Sequence, residues 1–145
     1  MNKLFEFPIE AADLSKAGMA SSFIKKILKE LNCSRDVIRR VAIATYEAEI
    51  NVVIHSHGGM CRFIIEDDTL KVTYFDCGPG IHSIEYAMLE GTSTAPKYAI
   101  ESGFGAGMGL PNMKKAADDF HITSSHEGTI IKMLFNLKGE IHENK

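Results

Sequence analysis

The chain is poor in cysteine, in net charge and in long apolar runs, and each shortage excludes something. Its three cysteines, Cys33, Cys61 and Cys77, are odd in number and scattered. They have neither metal-ligand spacing nor the density of a disulfide framework, so they read as buried, reduced thiols. The formal net charge is only −3. A general nucleic-acid binder carries a basic excess, and this mildly acidic balance argues against one. Disorder needs a larger net charge or fewer apolar residues than the 45% found here. No apolar run approaches the length of a membrane span, so no membrane association is expected. The opening Met1-Asn2-Lys3-Leu4-Phe5-Glu6 has no apolar signal-peptide core, which points to a cytoplasmic protein. Repeats and low-complexity tracts are also absent. What remains is a chain of 145 residues, enough for one domain with a substantial core.

Residues 3–8 suit a short strand. Met19, Phe23, Ile24, Ile27, Leu28 and Leu31 fall at helical spacing, which predicts a helix from about Asp13 to Leu31 with these residues inward. Ser34 suits the N-cap of a second helix, and Asp36 in its first turn suits the helix dipole. That helix runs to about His55. Its stripe of Val37, Val41, Ala44, Ala48 and Val52, with Ile43, Ile50 and Ile54 beside it, marks it as central to the core. A hairpin follows, with Cys61, Phe63 and Ile65 alternating before Asp67-Asp68 and Leu70, Val72 and Tyr74 alternating after. Ser83–Leu89 suits a short helix, and residues 91–107 read as a mobile loop rich in small residues. A third long helix is expected from near Met108, with Pro111 in its first turn and Leu110, Met113 and Ala117 inward. Two strands, 120–124 and 129–137, and a polar tail from 138 complete the chain. Strands in runs with long helices on one face predict an α+β, two-layer sandwich with a mixed, mostly antiparallel sheet.

Three segments carry chemistry. On the second helix, Glu47 and Asn51 are four residues apart and share a face. A carboxylate and an amide on a largely apolar face need polar partners. Asn51 offers an oxygen to a hard cation such as Mg²⁺, and Glu47 offers a base; the plainer alternative is that both bond to a neighbouring loop. After the hairpin comes Asp76-Cys77-Gly78-Pro79-Gly80. Gly78 and Gly80 let the backbone approach a ligand, and Asp76 can accept from an exocyclic amine such as adenine N6, unless the segment is a simple turn. Glycines at 103, 105, 107 and 109 then precede a helix start, where free N–H groups and the dipole attract phosphate. Neither a Rossmann βαβ context nor a Walker Gly-Lys-Ser/Thr accompanies them. His55 and His57 lack a third ligand, so a helix-end role is expected for them rather than a metal site.

In this order the three segments resemble the N box and the two glycine boxes of the GHKL ATPases, and the likeness covers residues 34–137. Within that family, Gly103 to Pro111, followed by Asn112-Met113-Lys114-Lys115 and Asp118, is similar to the small anti-sigma-factor and stress-switch serine kinases. Gly128-Thr129 resembles the family's late Gly-Thr pair. The resemblance implies three helices on one face of the sheet in a single domain over 1–145, with an ATP lid over about 91–107 and a tail over 138–145. It implies ATP and Mg²⁺ as cofactors. Glu47 becomes the catalytic base and Asn51 the Mg²⁺ ligand. Asp76 reads adenine with help from Thr129, Gly78 and Gly80 shape the adenine side, and Gly105, Gly107 and Gly109 hold the phosphates. The lid stretch Ala95–Glu101 is longer than the subgroup's pattern. By resemblance, the activity is phosphorylation of a serine on a small STAS-type anti-sigma-factor antagonist. The alternative is a nucleotide-dependent module that sequesters a sigma factor or activates a phosphatase without phosphoryl transfer. A homodimer is expected only by analogy.

Overall fold

A computed structural model describes residues 2–78, 88–89 and 109–138. Strand β1 (Asn2–Ile9) leads through a 3₁₀ turn (Leu14–Lys16) to helix α1 (Met19–Glu30) and helix α2 (Arg35–His55). Strands β2 (Gly59–Glu66) and β3 (Thr69–Asp76) follow, then helix α3 (Gly109–Ala116) and strands β4 (Asp119–Ser125) and β5 (Gly128–Asn136). The sheet order is β1-β2-β3-β5-β4, and all four pairings are antiparallel. The expected mostly antiparallel sheet is therefore present, with no parallel pair among the described residues. None of the described helices is long and apolar enough to cross a membrane.

Alternation puts one face of the sheet into the core. Phe63 and Cys61 on β2, Leu70, Val72 and Tyr74 on β3, and Ile131, Met133 and Phe135 on β5 are all buried. Against them lies α2, whose stripe Val37, Val41, Ala44, Ala48 and Val52 is fully enclosed. Burying a side chain such as Leu70 or Phe63 contributes about 1.5–3 kcal/mol, so this interface dominates stability. The Ser34 hydroxyl accepts from the Val37 N–H at 3.2 Å, as its N-cap position requires. The Tyr74 hydroxyl donates to the Thr45 carbonyl at 3.0 Å and ties β3 to the middle of α2. Helix α2 also packs against α1 and α3. Phe23 of α1 sits 4.9 Å, ring to ring, from both Phe5 and Phe7, which covers the inner face of the edge strand β1.

Four local expectations are corrected. The first helix begins at Met19, not near Asp13, because Gly18 takes a left-handed φ of +96° and separates it from the 3₁₀ turn. Met19 and Leu31 lie at the two ends of that shortened helix and are 65% and 44% exposed instead of inward. The third helix already ends at Ala116, since Asp119 pairs with β5. Cys77 is exposed, whereas burial pushes the Cys61 thiol up to about 12.

The start of α1 has an unexpected cap. Gly18 supplies no side chain, and Glu49 reaches across from α2 to accept the N–H groups of Gly18 at 2.9 Å, Ala20 at 3.3 Å and Ser21 at 3.1 Å. Glu47 and Glu49 thus point different ways from one helix, as their two-residue spacing predicts.

Candidate functional site

The site has two described ends, joined by α2. At one end α3 begins at Gly109, with the buried Pro111 in its first turn. Glu47, half-buried on α2, lies against that turn. Its Oε2 accepts from the Asn112 side-chain amide at 3.2 Å, and its Oε1 lies 3.4 Å from where a Cβ on Gly109 would sit. The proposed base and the first turn of the proposed phosphate-binding helix are therefore in contact. Lys114 and Lys115 are exposed in the last turn.

At the other end, Asp76 closes β3 and faces the start of β5. Its Oδ1 accepts the Thr129 backbone N–H at 3.0 Å. Its Oδ2 has no partner among the described residues. Burial pushes the Asp76 carboxyl above its ordinary value, against the opposing effects of the Thr129 N–H and nearby His57. The buried Thr129 hydroxyl pairs with that of Ser124 on β4 at 2.8 Å, which fixes the residue holding Asp76. Two glycines permit this close crossing of strand ends. A Cβ on Gly128, at φ +154°, would stand 2.0 Å from the Asp76 carbonyl oxygen. One on Gly78 would stand 2.5 Å from the His126 carbonyl, and the Gly78 N–H donates to the Glu127 carbonyl at 2.7 Å.

The end of α2 is stitched to this junction. The His57 N–H donates to the Cys77 carbonyl at 3.1 Å, and the Cys77 N–H to the Gly58 carbonyl at 3.0 Å. His55 is the last residue of α2, and burial lowers its pKa, so it favours the neutral form at the helix end. Asn51 lies about 6 Å along α2 from Glu47, towards Asp76. It is half-buried, and its side-chain amide has no hydrogen-bond partner among the described residues.

Glu47, Asn51 and Asp76 thus occur in sequence along α2 and its junction with β3, each with acceptor capacity to spare. That donor set fits a magnesium nucleotide: an amide oxygen for a hard cation, a half-buried carboxylate for an amine, and a second carboxylate by a helix N-terminus. Gly80, Gly105, Gly107, the lid at 91–107, most of the Ser83–Leu89 helix and residues 139–145 lie outside the described residues. Sequence reasoning assigned no role to Asn112. The signal was its position three residues after Gly109, which places both on one face of α3.

A family model described as histidine kinase-like ATPase domain matches residues 10–135. The chain is 37% identical over 95 residues to an anti-sigma F factor of Heyndrickxia coagulans, an alignment covering 60% of this chain and 61% of that protein. It therefore spans a little under two thirds of that relative's length. Among solved structures, the fold is similar to the RsbU and RsbW domains of a Mycobacterium tuberculosis protein. The TM-score is 0.64 at 15% identity, over 93% of this chain and 32% of that one. At such identity the likeness is one of fold.

Proposed function

The chain belongs to the histidine kinase-like ATPase domain family, and from that membership we propose that it is a cytoplasmic ATP-binding protein serine/threonine kinase of the anti-sigma-factor type. Its proposed substrate is a serine on a small STAS-type antagonist, with a sigma factor or a phosphatase as further partners. In this reading Asp76 uses Oδ2 to accept from adenine N6, beside Thr129, while Gly78 shapes that side by letting the strand ends cross against His126 and Gly80 leaves room for the ring. Asn51 ligates Mg²⁺. Gly105, Gly107, Gly109 and the N-terminal turn of α3 hold the phosphates beneath segment 91–107. Bound Mg²⁺ offsets charge on the transferring phosphoryl group. Glu47 orients the serine hydroxyl and accepts its proton.

The observation that carries this reading is the hydrogen bond from Asn112 to the Glu47 carboxylate, whose other oxygen lies 3.4 Å from where a Cβ on Gly109 would sit. It supports a proton acceptor beside the turn where phosphate is expected, with Asp76 on β3 next to the far end of α2. The named relative, an anti-sigma F factor, supports a regulatory protein substrate over a metabolite.

Purified protein, Mg-ATP and a STAS-domain substrate are expected to yield phosphoserine. Glu47→Ala is expected to lower the transfer rate roughly 100-fold or more while keeping ATP affinity. Transfer at the wild-type rate in that variant removes Glu47 from the role of base. Nucleotide-dependent retention of a partner without any phosphoserine would instead favour the binding-module reading.

A further inference from the structure

We propose that Asn112 is a positioning residue: it fixes the Glu47 carboxylate in one orientation and locks the base to the turn that binds phosphate. The proposal rests on the kinase reading and adds a residue to it. A glutamate reaches its target through three rotatable bonds, and a base must lie within about 3 Å of the proton it takes. Left alone on the rim of a site, such a side chain samples several rotamers. Glu47 is only half-buried, so packing alone does not hold it. The Asn112 amide does, by donating to Oε2 at 3.2 Å. A carboxylate only accepts, so the donor there is the amide nitrogen whichever way the Asn112 amide is drawn.

The geometry leaves the other oxygen usable. Oε1 has no hydrogen-bond partner among the described residues and lies 3.4 Å from where a Cβ on Gly109 would sit. Asn112 and Gly109 are three residues apart on one turn of α3 and move together. A hydroxyl approaching a phosphoryl group at the start of α3 would therefore meet a carboxylate already referenced to that turn. An ordinary tie between helices would stabilise the fold and leave turnover untouched, and kinetics separates the two.

The test compares Asn112→Ala, Asn112→Asp and Asn112→Gln in phosphoryl transfer. Asn112→Asp keeps the shape, removes the donor and sets a second carboxylate against Glu47; Asn112→Gln keeps a donor. The expected result is a fall in kcat of about tenfold for Asn112→Ala and more for Asn112→Asp. The KM for ATP and the affinity for ADP should stay within about twofold. Asn112→Gln should retain more activity than Asn112→Ala. In a Glu47→Ala background, Asn112→Ala should add no further loss, because the group it positions is gone. An unchanged kcat in Asn112→Ala and Asn112→Asp overturns the proposal. So does a loss of kcat matched by an equal loss of ADP affinity, which marks a merely structural contact. A wild type that transfers no phosphate ends the kinase reading and this inference together. A wild type that transfers, with Asn112→Ala equal to it, ends only the inference.

Discussion

Glu49 shows how much of α2 is committed to architecture rather than to the site. Its carboxylate is the acceptor for three backbone N–H groups at the start of α1, in a place water does not reach. Removing it strands those donors. Glu49→Ala is expected to destabilise the fold by about 3 kcal/mol in chemical denaturation, whereas Glu47→Ala should cost little stability. Burial raises the Glu49 pKa above its ordinary 4.5, outweighing the N–H donors. The folded protein therefore holds that proton more tightly than the unfolded chain. This contribution is fully present below the unfolded value and is lost as pH rises through the folded one. Glu49→Gln should flatten the stability–pH curve over that window. An unchanged slope would remove Glu49 as its source. The spacing of 47 and 49 made their divergence legible. Which of them faced the site was legible only through resemblance, because the cap depends on where α1 starts, and that depends on Gly18.

Helices α2 and α3 are joined at both ends of α3. Asn112 and Gly109 meet Glu47 at the start, and Arg40 closes the finish. The buried Arg40 donates from Nη1 to the Ala116 carbonyl at 2.9 Å, a helix-end acceptor with no partner inside its own helix. Its Nε also donates to Asp36 at 3.0 Å, which keeps the guanidinium aimed. Arg40→Ala should leave the Ala116 carbonyl unpaired and cost on the order of 2 kcal/mol, read as a lower denaturation midpoint. No change in the midpoint would show that the cap is dispensable. Element identity was largely legible here. The stripe of α2, the alternation of β2 and β3 and the Ser34 cap each have a period or a residue type that allows few alternatives. Element ends were not. The length of α3 is set by Arg40 and by the pairing of Asp119 with β5, contacts made by residues far away in the chain. The left-handed break before α1 turns on a single glycine inside an otherwise helical pattern.

At the scale of the molecule, the candidate site is a line of polar groups along α2 and its stitched end, with strand β5 holding the far terminus. The order of the motifs was readable because glycine-rich segments stand out against periodic ones. The meeting of Asp76 with Thr129 was legible only through resemblance, since the two are 53 residues apart in sequence and are brought together by the antiparallel pairing of β3 with β5. The proposed adenine end carries the central claim and has a pH signature. In that proposal adenine N6 would donate to an ionised Asp76, and a proton on that carboxylate would compete with it. Because burial raises the Asp76 pKa above 3.8, affinity should fall as pH drops through that raised value. Calorimetric titration of Mg-ATP into wild type and Asp76→Asn, repeated across that pH range, is the most direct test. The variant can keep an acceptor for the Thr129 N–H but presents an amide donor to the adenine amine. It should bind about 10- to 100-fold more weakly and lose the acid limb seen in wild type beyond the nucleotide's own protonation. Equal affinity in the two proteins, or a folded wild type that takes up no Mg-ATP, would contradict the assignment.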